Sequence, residues 1–280
     1  METLVYVPKQ HSNQISYDYS YDDIVQALVS AGINKGDIIF IHSNVGYFGR
    51  LEGAATRENF YYIFKRALTE VLGEAGTFVV PAFSYSFCWG KPYNKILTPS
   101  VCGVFTELVR SDNMSYRSDD ANFSVVAVGR DAEYLTADAP EFSYGVGSFW
   151  EKFLQRKGKL CNFNFPPSST FIHYVERCLK VPYRYDKPFT GIALVNGKEV
   201  KKTFYHFCYD LNKLCYQPDF SKFDQRARER KFAKSVDLGR GQVVVVSAED
   251  SFKLIEEEIV RDQAFLIKGP LEGSLGVGND

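Results

Sequence analysis

Residues 36–49, GDIIFIHSNVGYFG, carry four consecutive apolar positions, Ile38 to Ile41, closed by His42 and followed by Ser43, Asn44, Val45 and the glycines Gly46 and Gly49. A strand with one wet face alternates apolar and polar side chains, so an unbroken apolar run predicts a strand covered on both faces. The Asn and Gly residues after it predict a tight loop. Upstream, SYDDIVQALVSAGINKGD (20–37) predicts a helix with Ser20 as N-cap, Ile24, Val25, Leu28 and Val29 on its apolar face, and a stop near Gly32. Downstream, TRENFYYIFKRALTEVLG (56–73) predicts a second helix and GTFVVPAFS (76–84) a second buried strand. Helix, strand, helix, strand implies an α/β fold with helices on both faces of a sheet. In such sheets ligands sit beyond the C-terminal ends of strands, where His42 and Ser84 fall.

The same alternation continues. A helix is expected at 101–111, a strand at 123–129, a helix at 147–158 and a strand at 159–165, which runs into SSTFIHYVER (168–177). After Pro182 the pattern changes. GIALVNGKEVKKTFYHF (191–207) places Asn196-Gly197 between two strand-like runs, a hairpin signal. Residues 219–235 read as a charged helix, and 242–267 as a strand followed by a helix. One domain over 1–268, with an antiparallel and irregular C-terminal portion, is expected. The Gly-rich 269–280 reads as a flexible tail.

A chain of 280 residues with 45% hydrophobic content can fill a substantial core, and 33 basic against 34 acidic residues leave no general attraction to nucleic acid. No apolar run approaches the roughly 18 residues of a membrane span, and METLVYVPKQHSNQ lacks the charge-then-apolar order of a secretory signal. A cytoplasmic protein without membrane insertion is expected, with a homo-oligomer left open. The six cysteines form no C-x-x-C pair and most read as buried thiols.

His173 and Glu176 stand three positions apart on the predicted helix, close enough for the carboxylate to hold the imidazole in one tautomer. A histidine held so can act as a general base. The bland alternative is a solvent-facing Glu176 and a His173 packed on Tyr174. H-x-x-E also matches the first two zinc ligands of some metallopeptidases, but a catalytic zinc needs a third ligand, for which His42 and His206 are the candidates, though spacing does not show either in place. No metal is expected. The chain has no G-x-S-x-G elbow and no G-x-x-x-x-G-K-[ST] or G-x-G-x-x-G loop, which argues against a common hydrolase, a P-loop enzyme or a dinucleotide enzyme.

Five blocks in order resemble the aminoglycoside 3-N-acetyltransferase family: GDIIFIHSNVGYFG, GTFVVPAFSYSF, TPSVCGVFTELVR, YRSDDANFSVVAVGRDAEYLTAD and SSTFIHYVERCLKVPYR. The resemblance implies that family's fold and a one-step transfer from acetyl-CoA, or another short-chain acyl-CoA, to an amine on a sugar ring. It implies His173 as the base, Glu176 as its orienting partner and Thr170 as a hydroxyl beside them. His42, Ser43, Asn44, Val45 and Gly46 would line the thioester. Ser100, Gly103, Phe105 and Thr106 would lie along the coenzyme A arm. Ser84, Tyr85, Asp120, Phe123, Ser169 and Thr170 would face the acceptor. Backbone N–H groups of 42–46, or the Ser169 and Thr170 hydroxyls, are candidate oxyanion donors.

Resistance enzymes of the family usually carry a histidine after the Arg-Ser pair, where this chain has DDANFS with Asp120 and Phe123. That form resembles members from polysaccharide biosynthesis, as do SYSFCWGK and TFIHYVE. A nucleotide-linked amino sugar is therefore the expected acceptor. The alternatives are an aminoglycoside acceptor, a zinc hydrolase, and a catalytically idle relative that binds coenzyme A.

Overall fold

The computed structural model describes residues 16–195, 197–209 and 217–269. Helix α1 (Tyr21–Ser30) is capped as its sequence requires, with Ser20 Oγ accepting from Asp23 N and the Asp23 carboxylate accepting from Ser20 N. Its buried stripe is Ile24, Ala27, Leu28 and Ala31, at helical spacing. Val29, expected on that face, is 53% exposed, because it stands one position beyond the i, i+3, i+4 rule. Strand β1 (Ile38–Ser43) follows, then a 3₁₀ turn at Val45–Phe48, helix α2 (Arg57–Leu72) with Thr56 as N-cap, and β2 (Thr77–Pro81).

Beyond these lie β3 (Tyr93–Asn94), α3 (Val104–Arg110), β4 (Tyr116–Arg117), β5 (Val125–Gly129), α4 (Ala132–Thr136), α5 (Phe149–Gln155), β6 (Lys159–Phe163) and α6 (Phe171–Cys178). The C-terminal part holds β7 (Arg184–Val195), β8 (Lys198–Tyr209), β9 (Gln217–Pro218), α7 (Ser221–Glu229), β10 (Lys234–Leu238), β11 (Gly241–Ser247), α8 (Ala248–Arg261) and β12 (Ile267–Lys268). The helix expected over 219–235 stops earlier. Lys231 turns the backbone left-handed at φ +58°, and Lys234 to Leu238 enter the sheet against β11.

The described residues form a seven-stranded mixed sheet in the order β10-β11-β6-β1-β2-β5-β4. Its three central strands, β6, β1 and β2, are parallel; β11 and β5 flank them antiparallel. The apolar run of β1 divides by parity, as a pleat demands. Ile38 and Phe40 join the core under α5, α6 and α8, with Trp150, Phe153, Phe171 and Leu254. Ile39 and Ile41 join the opposite core under α1, α2 and α3, with Leu28, Phe64, Leu68 and Phe105.

A second layer is the long hairpin β7–β8, twelve residues a side, with β3 added parallel to β7. Its two-residue turn falls where the sequence places it. Gly197 has φ +75°, the left-handed region a tight hairpin turn requires, while Asn196 lies outside the described residues, as do 270–280 of the expected tail. Stacking of Phe142 on Tyr205, with ring centroids 4.5 Å apart, ties the hairpin to the loop before α5. Of the five described cysteines only Cys161 is buried, so the expectation of mostly buried thiols was too broad; Cys215 lies outside the described residues. Among the described residues no helix is long and apolar enough to cross a membrane.

Candidate functional site

Parity sets the position of His42. It continues the Ile38, Phe40 series of β1 and therefore faces the α6 side, its ring 5.1 Å from that of Phe40. Neighbouring β6 pairs Asn162 with His42 and then delivers the loop that becomes α6. Asn162 is fully buried and its Nδ2 donates to the carbonyls of Pro166 and Ser168, which folds the loop back on the strand end. Asp224 of α7 accepts from Ser168 N at 2.7 Å and pins the same loop from the other side.

The result is contact between segments 128 positions apart: Thr170 Oγ1 and His42 Nε2 share a hydrogen bond of 3.2 Å. Thr170 is the N-cap of α6 but makes no side-chain capping bond, so its hydroxyl is free for this contact. One turn on, His173 Nδ1 donates to Glu176 Oε2 at 2.9 Å. That bond fixes the proton on Nδ1 and leaves the Nε2 lone pair for the cavity that the ring lines. Tyr144 meets the His173 ring edge-on at 5.7 Å, and Phe220 packs on it at 5.9 Å.

The bland alternative for this pair fails, because the Glu176 side chain is fully buried and faces the histidine. Its charge is balanced from β7. Arg184 Nε lies 2.8 Å from the same Oε2 atom, with only 4% of its side chain exposed. The guanidinium sits 3.6 Å above the Tyr209 ring and its Nη1 donates to the Phe207 carbonyl. Burial first, and then the Arg184 charge, lower the His173 pKa, against the Glu176 bond that raises it. Burial, reinforced by His173, pushes His42 down to about 4. Both rings are neutral near neutral pH.

The cavity in front of His173 has a volume of about 700 Å³. Phe83, Tyr85, Phe123, Phe189 and Tyr209 supply much of its wall, and among the described residues no aspartate or glutamate lines it. Its two cations differ: Arg184 is committed to Glu176, whereas Lys187 at the exposed mouth pairs with no carboxylate among the described residues. His206, at its inner wall, is locked by Asn122. The Asn122 Oδ1 accepts from Phe87 N and Cys88 N, so its Nδ2 must donate to His206 Nε2, at 2.9 Å.

Several residues expected at the acceptor stand elsewhere. The Asp120 carboxylate accepts from the N–H groups of Asn122 and Phe123 and from Ser143 Oγ, so it orders its own loop rather than lining the cavity. The Ser84 hydroxyl is buried and donates to the Ala121 carbonyl. Ser169 Oγ accepts from Phe171 N. Tyr85, Phe123 and Thr170 do line the cavity.

A second groove, of about 930 Å³, opens where the loop after β1 meets α2 and α3. Val45 and Gly46 line it, and Ser43 and Asn44 lead into it from the strand end, with Asn44 N donating to the Phe163 carbonyl. From α3 it is Val104 and Leu108, four apart, that face it; Phe105 and Thr106 point into the core. Gly103 is the N-cap of α3, and Ser100 Oγ accepts from Cys102 N. Sequence reasoning missed Arg50 and Arg57, the charged residues of this groove, neither of which pairs with a carboxylate among the described residues. Gly49, at φ +88°, would place a side-chain Cβ 2.2 Å from the Asp18 carboxylate, so the loop accepts only glycine there. Arg184 and His206 were also missed as site residues. Their partners lie on other elements, and no local spacing announces them.

Among the described residues, no three His, Cys, Asp or Glu side chains group as metal ligands would. Glu176, the second ligand of the H-x-x-E reading, directs Oε2 at His173 and Arg184 instead of at a shared metal position.

Residues 40–259 match the family model described as aminoglycoside 3-N-acetyltransferase. Aminoglycoside N(3)-acetyltransferase III of Salmonella sp is 27% identical over 198 residues; the match covers 60% of this chain and 65%, just under two thirds, of that protein. The structure of AAC-IIIb in binary complex with CoASH has a TM-score of 0.73 at 20% identity, covering 90% of this chain and 98% of that one. AAC-VIa bound to sisomicin has a TM-score of 0.74 at 22% identity, covering 87% and 98%. The mixed α/β architecture is that of these acetyltransferase structures, and with the family model matched over most of its length the chain belongs to the aminoglycoside 3-N-acetyltransferase family.

Proposed function

We propose that this protein transfers an acetyl group from acetyl-CoA directly to a primary amine of an amino sugar, with His173 as general base. The observation that carries this reading is the Nδ1–Glu176 bond, which turns a neutral His173 Nε2 toward a cavity beside Thr170 and His42. Coenzyme A supplies the acyl group as a thioester, whose carbonyl only an uncharged amine can attack. His173 takes the proton the amine loses, Glu176 supports the imidazolium that results, and as the C–S bond breaks that proton passes to the leaving coenzyme A thiolate, released as free thiol. With His42 protonated on Nε2 and donating to Thr170 Oγ1, the Thr170 O–H is left to donate at the same cavity. The second groove suits a phosphate-bearing carrier. Arg50 and Arg57 offer guanidinium groups with no carboxylate partner among the described residues, and Gly46, Gly49, Gly53, Ala54 and Ala55 let a chain approach closely. Acetyl is the family default, and another short acyl group fits the same chemistry.

The names of the relatives support an aminoglycoside as the acceptor, rather than the polysaccharide precursor expected from the Asp120 block. One observation favours the second reading, a nucleotide-linked amino sugar. A polycation entering this cavity would find no carboxylate among the described residues of its wall to pair its ammonium groups, and would meet Lys187 at the mouth. Aromatic walls suit a base or a sugar ring instead.

The test is thiol release from acetyl-CoA with kanamycin and gentamicin beside UDP- and dTDP-linked amino-dideoxy sugars. Release with the antibiotics assigns the aminoglycoside reading. Release confined to the nucleotide sugars assigns the second. If no amine yields thiol while coenzyme A still binds, N-acyl transfer is rejected and a binding role replaces it.

A further inference from the structure

We infer that Arg184 is a positioning residue that keeps the His173–Glu176 pair free of its extra proton, so that the base is ready at neutral pH. The inference rests on the reading of His173 as a base and goes beyond it to a residue on a different element. Three facts converge. Arg184 Nε and His173 Nδ1 approach the same atom, Glu176 Oε2, at 2.8 and 2.9 Å. Glu176 is fully buried and Arg184 nearly so, so water screens neither charge. The guanidinium is held independently of the pair, over the Tyr209 ring and on the Phe207 carbonyl, and cannot swing away to solvent.

With Arg184 present, the buried set of arginine cation, glutamate anion and neutral histidine has no net charge. Without the cation, the pair carries an uncompensated negative charge in a dry place and binds a proton more tightly. The location of that proton does not matter. On His173 it makes an imidazolium; on Glu176 it makes a neutral acid whose O–H points at Nδ1 and forces the ring hydrogen onto Nε2. Either way Nε2 cannot accept a proton from the amine.

Among the described residues, the other groups facing His173 do not supply the missing charge. His42 on β1 is neutral, with its pKa pushed down to about 4. Burial raises the Tyr144 hydroxyl before α5 and the Tyr209 hydroxyl on β8, so both stay protonated; Phe220 before α7 is apolar. Tyr183, which interacts with Glu176, is raised in the same way and also stays neutral. Lys187, from the same strand as Arg184, stands at the cavity mouth in solvent.

The experiment compares the pH profile of kcat/KM for the wild type, Arg184→Met and Arg184→Lys, with whichever acceptor yields thiol. Arg184→Met should move the acidic limb upward by roughly one pH unit or more, with activity recovering on the alkaline side. Arg184→Lys restores the charge and should return the limb toward wild type. A merely structural arginine would lower kcat/KM by one factor at every pH, and that result overturns the inference. A second measurement needs no turnover: the His173 imidazole, labelled with ¹⁵N, is titrated by NMR in the full-length protein. A midpoint higher in Arg184→Met than in wild type supports the inference, and an unchanged midpoint overturns it. Should no acceptor yield thiol, the proposed function fails, while the titration still decides on Arg184.

Discussion

His173 gains its chemistry from two contacts that differ in how they are written into the chain. The contact with Glu176 is local, three positions along one helix, and is legible in the spacing. The contact of that glutamate with Arg184 joins α6 to β7; the guanidinium lies eight positions downstream across a turn, where no periodicity relates the two. The pair therefore suggests a base from sequence alone, while its proton affinity emerges only from the fold. His173→Ala is expected to lower kcat by about 10² or more while coenzyme A binding changes little, as read by turnover beside a calorimetric titration. Glu176→Gln should cost less, about tenfold, because its amide oxygen still accepts the Nδ1–H and only the charge support is lost. Equal losses in the two variants would show that Glu176 does more than orient and support the ring.

At the scale of the element, the loop between β6 and α6 decides where Thr170 and His173 stand. Asn162 fills the strand position beside His42 and holds two loop carbonyls with one amide. Asn162→Ala removes both donors and leaves buried acceptors unpaired, which costs about 1–3 kcal/mol. Urea unfolding should register that loss, and kcat should fall further than stability explains, because the misplaced loop carries the base. A variant with unchanged turnover would show that α6 is positioned by its packing on α8 alone. The strand ends and most helices were legible because apolar runs and caps are local signals: Ile38 to Ile41 announce β1, Ser20 announces α1, Asn196-Gly197 announces the hairpin. The charged stretch 219–235 misled because its helical composition continues past Glu229, whereas pairing with β11 claims Lys234 to Leu238. Asp120 misled in the same manner. Its place in a family block suggests the acceptor, but two N–H groups of its own loop and the Ser143 hydroxyl, 23 positions on, use the carboxylate.

For the whole molecule, the cavity is the seam between the central sheet and the hairpin layer: His173 from α6 and His206 from β8 line it, and His42 from β1 stands behind Thr170. All three have lowered pKa values, and in each case burial is the first cause. A histidine depressed in the folded state binds its proton more readily once unfolded. Its stabilising contribution is complete above the unfolded value of about 6.5 and is lost as pH falls toward the folded value. For His42 the window runs from 6.5 down to about 4, which amounts to roughly 3 kcal/mol, a sizeable part of the 5–15 kcal/mol typical of a folded domain. Unfolding free energy from urea titrations should therefore drop steeply between pH 6.5 and 4. His42→Gln, which keeps a polar group beside Thr170 but cannot titrate, should flatten that drop by about the same amount. The variant will be less stable than wild type at pH 7.5, yet the two curves should converge toward pH 4. Parallel curves would mean that His42 protonates without resistance in the folded state, and that the seam is open to water.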